Sequence, residues 1–183
     1  MRLLDVILAG ALFGAAHGLA ANAEPTKGYY TMDAMGCMIL RECTKDVEEV
    51  FSMLDISSKY PNTEEYTDVS LEFNNMLMSL NQIGVKVYLA DERYFPKMHR
   101  GVYHTVGNNF FLNKTYMDDP ATLMMVMRHE GWHAAQDCMA GSINNSMIAI
   151  IHDEEDVPML WRTLVERTYP ASAVPWEAEA QWA

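Results

Sequence analysis

The sequence predicts an α+β fold: a mostly helical single domain with a small antiparallel sheet just before a long helix. Two observations predict this fold. Apolar residues recur at helical spacing in several stretches, and a short β-rich region lies among them. In that region, residues 85–89 are alternating and β-branched. The extended runs 102–106 and 109–112 then flank Gly107-Asn108, a dipeptide typical of hairpins.

Length and composition indicate one domain with its own core. The chain has 183 residues, of which 50% are hydrophobic and 21% are charged, an ordinary globular balance. Its formal net charge of -12 argues against nucleic-acid binding, because phosphates repel an acidic surface. No apolar stretch of about 18 residues occurs outside the N-terminus, so no internal membrane span is expected.

The N-terminus has the features of a secretory signal peptide. Met1-Arg2 supplies a positive charge, residues 6–21 are apolar, and Ala21-Asn22-Ala23 fits a small-residue cleavage site. We therefore expect residues 1–23 to be removed. Residues 24–183 would form the exported domain, secreted or periplasmic, with no stable membrane span after cleavage. A retained membrane anchor is the alternative.

Export would place the three cysteines in an oxidising compartment, where two of them can pair. Cys37 with Cys43 is the local pairing, and either of them with Cys138 is the long-range pairing. The sequence leaves both pairings open. Metal ligation by cysteine is not expected, because the cysteine spacing matches no zinc-ribbon pattern.

Start and stop signals for helices divide the rest of the chain. Thr44 and Thr63 precede amphipathic runs, and Asp119-Pro120 places a capping side chain before a proline at the first helical position. Gly84 and Gly141 follow two of these runs, as is typical of helix C-termini. The helices predicted in this way cover residues 44–59, 63–83, 120–139, 142–151, 156–169 and 175–183.

The predicted helix at residues 120–139 carries His129-Glu130-Gly131-Trp132-His133, which fits the pattern H-E-x-x-H. Residues four apart lie on one face of a helix, so both imidazoles can reach one metal ion. Glu130 projects near that face and can act as a general base. The pattern therefore predicts a Zn²⁺ site with hydrolytic chemistry. The alternative is that the two histidines are incidental.

A zinc site needs at least one further protein ligand, with a position left open for water. Glu177 is preferred, because it begins a helix after Pro175 and the small Ala178 and Ala180 would let that helix approach closely. The main alternative is Glu154 or Glu155 in the acidic cluster that follows the motif. The remaining downstream candidates are His152, Asp153, Glu166 and Glu179.

Together these segments resemble the zincin metallopeptidases, and among them the gluzincins. Residues 126–135 are similar to the metal-binding helix of that family, and residues 177–180 are similar to its E-x-x-A helix, which carries a glutamate ligand. The resemblance implies a zincin-like fold and peptide or protein substrates. It also implies that His129, His133 and Glu177, rather than Glu179, hold the zinc.

An enzyme of this kind is expected to hydrolyse peptide bonds with Glu130 as the general base. The developing oxyanion needs a further donor, and the substrate is expected to add a strand along residues 102–112. The candidate donors are Tyr103, His104 and Tyr169.

Four residues around the motif have further predicted roles. Gln136 and Asp137 are candidate hydrogen-bond partners for the ligand histidines, with solvent exposure as the alternative. Cys138 falls almost opposite the ligands and is expected to pack, or to form a disulfide, behind the helix. Gly131 costs about 1 kcal/mol relative to alanine in mid-helix, so close packing beneath it is expected.

A second class of function stays open, a secreted non-catalytic protein in which zinc is structural. Larger peptidases of this kind carry a C-terminal subdomain, whereas six residues follow Glu177 here. Chelation would then unfold the protein, whereas a purely catalytic site would lose activity first. A redox protein ranks below both, because the sequence contains no C-x-x-C.

Overall fold

The computed structural model describes residues 47–95, 98–105, 107–141 and 148–183. Within these ranges the chain forms four strands and five α-helices, so the predicted α+β class is confirmed. The strands are β1 (Val47–Glu49), β2 (Lys86–Ala90), β3 (Gly101–His104) and β4 (Asn109–Asn113). The helices are α1 (Met53–Ser57), α2 (Thr67–Gln82), α3 (Pro120–Met139), α4 (Met159–Glu166) and α5 (Val174–Trp182). Short 3-10 turns occur at Thr63–Tyr66, Glu92–Tyr94 and Lys114–Tyr116.

The four strands form one sheet in the order β1-β2-β4-β3, and it is mixed rather than antiparallel as predicted. β1 pairs antiparallel with β2, and β3 antiparallel with β4, whereas β2 and β4 are parallel neighbours. The chain reverses between β2 and β3 and again at the hairpin between β3 and β4. Two reversals return β4 to the direction of β2. Because β4 lies between β2 and β3, β3 is an edge strand, and it lies beside α3.

The helix predicted at residues 44–59 is wrong over most of its described part. Val47–Glu49 forms the strand β1 along the free edge of β2. The Asp55 carboxylate then accepts hydrogen bonds from the backbone N–H groups of Phe51 and Ser52, which starts the short helix α1. The edge of β2 supplied hydrogen-bond partners for the backbone of residues 47–49. The cap formed by Asp55 then started a new helix within the predicted one, so no continuous helix formed.

The predicted helices that correspond to α2, α3, α4 and α5 are confirmed. Gly84 and Gly141 follow α2 and α3 with φ of 85° and 92°, the left-handed conformation that ends many helices. The helix predicted at residues 142–151 is wrong at 148–151, which have no regular structure. The remainder of that prediction, the signal peptide at 1–23 and the pairing of Cys37 and Cys43 lie outside the described residues.

Two hydrophobic clusters pack the helices, and of these two only the larger contains side chains of α3. The larger one joins the sheet, α2 and α3, and its buried side chains include Phe73, Leu77, Val87, Tyr103, Phe110, Leu112, Leu123 and Met127. The smaller one joins α4 and α5 through Val157, Val165, Tyr169, Ala173 and Ala178. α3 contacts α2, β3 and α5. Among the described residues, no helix combines the length and apolarity that crossing a bilayer requires.

Gly101 marks the closest approach of the sheet edge to α3. A Cβ atom at this position would overlap Val126 Cγ1 and would lie 3.2 Å from Glu130 Cγ. Glycine therefore lets β3 lie directly against the part of α3 that carries Glu130. The close packing predicted beneath Gly131 is wrong, because a Cβ there would meet Met76 Cε at 3.4 Å, an ordinary van der Waals distance.

Candidate metal centre

α3 begins with a cap that its sequence predicts. The Asp119 carboxylate accepts hydrogen bonds from the N–H groups of Ala121 and Thr122, at 3.3 and 3.0 Å, and from the Thr122 hydroxyl at 2.6 Å. These bonds satisfy donors that a helix start leaves open. The Thr122 hydroxyl is the main cause that lowers the pKa of Asp119. The helix continues without a break through the buried motif.

Three side chains from α3 and α5 meet at one point. His129 and His133 place their Nε2 atoms 3.3 Å apart. Glu177 reaches them from α5, with its Oε2 at 3.5 Å from His129 Nε2 and 3.8 Å from His133 Nε2. One ligand atom from each residue lies within 4.8 Å of the others, and no other such group occurs among the described residues. The three residues could therefore hold a metal ion.

The spacing of these atoms fits a small tetrahedral cation. Two ligands at about 2.0–2.1 Å from such an ion lie about 3.3–3.4 Å from each other. The two ring nitrogens already have this separation, and the carboxylate oxygen is within a few tenths of an ångström of it. Little rearrangement would therefore be needed to bind a metal ion.

The environment of Glu177 is a second argument for a cation. Its side chain is fully buried, and neither carboxylate oxygen has a hydrogen-bond partner within the described ranges. Burial opposes ionisation, but the neighbouring His133 and His129 outweigh it and hold the pKa of Glu177 below its usual value. A buried carboxylate without hydrogen bonds needs a positive partner, and either a protonated histidine or a metal ion held by the two histidines would provide one.

Glu130 is buried beside this group and faces the sheet. Its Oε2 accepts a hydrogen bond of 2.9 Å from the backbone N–H of Tyr103 in β3. Burial raises the pKa of Glu130 to about 8, with His129 opposing the rise and Glu177 adding to it. Burial therefore disfavours the charged form of Glu130 in the metal-free protein.

Gln136 connects the ligand His133 to α5. The Gln136 Oε1 lies 2.8 Å from His133 Nδ1, so its prediction as a partner of a ligand histidine agrees with the geometry. The Gln136 Nε2 donates to Glu179 Oε2 at 2.6 Å and to the Trp176 carbonyl at 3.1 Å. Glu179 also accepts from the N–H groups of Ile151 and His152. Glu179 therefore links the motif helix to the segment before α4.

Asp137 contacts β3 rather than the histidines that it was predicted to contact. Its Oδ2 accepts a hydrogen bond of 2.6 Å from the Tyr103 hydroxyl. Burial raises the pKa of Asp137 to about 6, and the bond from Tyr103 opposes this rise. The Tyr103 hydroxyl also lies 3.3 Å from Asn108 Oδ1, so it is engaged away from the histidines.

The other predicted site residues have different surroundings. Glu154 is exposed and pairs with Arg162 at 3.6 Å, and Glu155 is exposed beside it. His104 accepts a hydrogen bond from the Gly107 N–H at its Nδ1, and burial lowers the pKa of His104. Tyr169, the third predicted oxyanion donor, is buried in the cluster between α4 and α5.

Two predictions about packing near the site have different outcomes. The close approach of α5 through small residues is not supported at Ala178, which packs in the cluster between α4 and α5, whereas Ala180 is buried outside that cluster. Cys138 is exposed and has a free thiol among the described residues, so it does not pack behind α3. α5 instead lies against α3 through the polar contacts of Glu177 and Glu179.

Sequence reasoning missed two functional contacts. The bond from Tyr103 N–H to Glu130 was not predicted, although Gly101 is a signal for a close approach of two backbones. The role of Glu179 was also missed. Glu177 and Glu179 lie two residues apart on one short helix. Side chains at this spacing point in different directions, so the two carboxylates were bound to contact different partners.

The sequence matches no protein-family model, and no significantly similar curated protein or solved structure was found.

Proposed function

We propose that the protein is an exported zinc-dependent metallopeptidase with a zincin-like site. In this proposal His129, His133 and Glu177 hold Zn²⁺, and Glu130 is the general base. The observation that carries it is the meeting of three ligand side chains beside a buried glutamate. Imidazole and carboxylate ligands suit zinc, and three protein ligands leave a fourth position for water. Export is proposed from the N-terminal sequence alone.

When bound, zinc would supply a Lewis acid and a water molecule whose pKa lies near 7. Glu130 would accept a proton from that water and pass it to the leaving amine. A positive charge at the three ligands would lower the pKa of Glu130 from its value of about 8 in the metal-free protein. The carboxylate would then be available as a base near neutral pH.

The edge strand β3 has backbone groups that a peptide substrate could pair with. The Asn113 N–H donates to the Arg100 carbonyl at 2.9 Å, so in this antiparallel pair the peptide groups of Gly101 and Tyr103 point away from β4. Glu130 already holds the Tyr103 N–H. All four residues of β3 are buried, so a substrate strand could reach the other outward groups only after the contacts along this edge open.

One observation favours the second candidate function, a non-catalytic protein with structural zinc. The ligands come from two helices, so a bound ion would join α5 to α3. In that case chelation should unfold the protein at the concentrations that remove the metal. In the peptidase, chelation should abolish hydrolysis first, because the hydrogen bonds of Glu179 with Gln136 and with the Ile151 and His152 N–H groups also hold α5 to the rest of the chain.

The experiment that tests the peptidase is the substitution Glu130→Gln in the full chain. Zinc content is measured by elemental analysis, and hydrolysis is measured with a quenched fluorescent peptide library. We expect unchanged zinc content and a loss of hydrolysis by about 10²–10⁴-fold, the usual contribution of a general base. The exposed Glu155→Gln is the matched control. Hydrolysis that persists in Glu130→Gln would exclude Glu130 as the base.

A further inference from the structure

We propose that Gln136 and Glu179 are positioning residues that hold His133 in the one tautomer able to bind a metal. The proposal rests on the proposed metal centre and adds to it how one ligand is prepared before the metal arrives. Neither residue touches the point where the three ligand atoms meet. Both act through the ring of His133, by a chain of hydrogen bonds that ends in a buried carboxylate.

The argument begins with the orientation of the Gln136 amide. An amide has one acceptor oxygen and one donor nitrogen, and the two ends cannot serve the same partner. Here the nitrogen lies 2.6 Å from Glu179 Oε2 and 3.1 Å from the Trp176 carbonyl oxygen. Both partners are acceptors, so the NH₂ group must point toward them. The amide oxygen must then face His133.

The tautomer of His133 follows from that orientation. The Gln136 Oε1 lies 2.8 Å from His133 Nδ1 and can only accept, so Nδ1 must carry a proton. In the neutral ring the lone pair is then on Nε2, the atom that faces His129 and Glu177. The opposite tautomer would place two acceptors against each other at Nδ1 and a proton on Nε2, where the metal has to bind.

Glu179 is well suited to hold the end of the hydrogen-bond chain that lies farthest from His133. It is fully buried, and its carboxylate accepts from the N–H groups of Ile151 and His152 as well as from Gln136. The Trp132 indole N–H adds a longer contact at 3.4 Å. An ionised carboxylate is only an acceptor, so its oxygens cannot exchange roles with a donor. The direction of the whole chain of hydrogen bonds is therefore fixed.

The first test is direct and needs no variant. A long-range ¹H–¹⁵N correlation spectrum of the metal-free protein, with ¹⁵N-labelled histidine, distinguishes the two tautomers of each ring. A His133→Asn variant identifies the His133 signals. We expect the Nδ1–H tautomer alone for His133. An Nε2–H tautomer, or an averaged spectrum of both, would overturn the proposal.

The second test exchanges the amide of Gln136 and the carboxylate of Glu179, the two groups that continue the chain of hydrogen bonds from His133. Glu179→Gln puts an amide between two sets of donors, the Gln136 NH₂ and the Ile151 and His152 N–H groups, so its own NH₂ must oppose one of them. Zn²⁺ affinity, measured by competition with a chromophoric chelator, should fall about 10–100-fold. The double variant Gln136→Glu with Glu179→Gln gives His133 an acceptor again and keeps the net charge. It should recover the Nδ1–H tautomer and part of the lost affinity, because the new carboxylate loses the bond that the Gln136 NH₂ donates to the Trp176 carbonyl. Glu166→Gln, an exposed change of the same chemistry, is the control.

These outcomes separate the proposal from a general loss of structure. If Glu179→Gln loses the Nδ1–H tautomer of His133 and still binds zinc as the wild type does, the positioning role is excluded. If the double variant folds and still lacks both the tautomer and the affinity, the role is likewise excluded. Neither measurement uses peptide hydrolysis, so an inactive protein would contradict the proposed peptidase without affecting this result.

Discussion

The backbone N–H of Tyr103 donates a hydrogen bond of 2.9 Å to Oε2 of Glu130, joining the sheet edge to the motif helix. The contact depends on Gly101, which lies two residues earlier in β3 and has no side chain between the strand and α3. The sheet therefore sets the position of the proposed general base. This relationship leads to the first prediction.

Gly101→Ala should destabilise the protein and impair hydrolysis. The added Cβ would overlap Val126 Cγ1, and overpacking of this kind typically costs about 1–3 kcal/mol. The strand would have to move away from α3, which lengthens the bond from Tyr103 to Glu130. Urea denaturation of the metal-free protein measures the change in the free energy of unfolding.

Gly131→Ala is the matched control for that prediction. It lies in α3, the helix against which Gly101 packs, but its Cβ would meet only ordinary contact distances, with Met76 Cε at 3.4 Å. Alanine is favoured over glycine in a helix by about 1 kcal/mol, so this variant should be as stable as the wild type or more stable. Equal effects of the two substitutions would contradict the tight approach at Gly101.

Glu177→Gln should remove metal binding, because it neutralises the buried carboxylate that faces both histidines. We expect a loss of Zn²⁺ affinity greater than the 10–100-fold that is typical of groups outside the ligand set. In the wild type, metal at 100 times its Kd should add about 2.7 kcal/mol to the free energy of unfolding. Thermal unfolding with and without chelator measures this gain.

The substitutions Glu154→Gln and Glu155→Gln are controls for the alternative ligand set. Both residues are exposed, and Glu154 pairs with Arg162 instead of the histidines. Each variant should keep the wild-type zinc affinity. A loss of zinc in either of them, with Glu177→Gln unaffected, would reverse the ligand assignment.

The stability of the metal-free protein should fall as pH rises, through Asp137. Its folded pKa of about 6 lies above the usual value of 3.8, so between these values the folded state binds more protons than the unfolded state. The stabilisation from the protonated form is present at low pH and is lost as pH rises through about 6. From pH 4.5 to 7.5 the loss is about 2 kcal/mol.

Asp137→Asn isolates this effect, because asparagine does not titrate and can still accept from the Tyr103 hydroxyl. The stability of the wild type relative to Asp137→Asn should therefore decrease by about 2 kcal/mol between pH 4.5 and 7.5. Denaturant titrations of both proteins in chelator at several pH values measure it. A constant difference would contradict the raised pKa.

Asp119→Ala should destabilise the protein by about 1 kcal/mol, the usual cost of losing a helix N-cap. Asp119→Asn keeps an oxygen that can accept from the Ala121 and Thr122 N–H groups, so it should cost less. The folded pKa of Asp119 is lowered, so its contribution is present above the unfolded pKa and is lost as pH falls through the folded value. Thermal unfolding at pH 7 compares the two variants, and an equal loss in both would exclude the cap.

Much of the local structure was predictable because its causes are local. The cap at Asp119 and the C-terminal Gly141 bound α3, and the hairpin at Gly107-Asn108 joins two short strands. The helical spacing that brings His129 and His133 to one face is also a property of the chain itself. The β1 strand was not predictable from its own residues, because its partner β2 is distant in sequence.

The sequence by itself determined the α+β class, the helix that carries the motif and two of the three possible metal ligands. Only the tertiary structure decided that Glu177 meets them and that the exposed Glu154 does not. It also decided the contacts of Glu130 with Tyr103 and of Gln136 with Glu179. The physical reason is that helical periodicity sets which side chains share a face. Which face meets another element depends on packing between segments that are far apart in the chain.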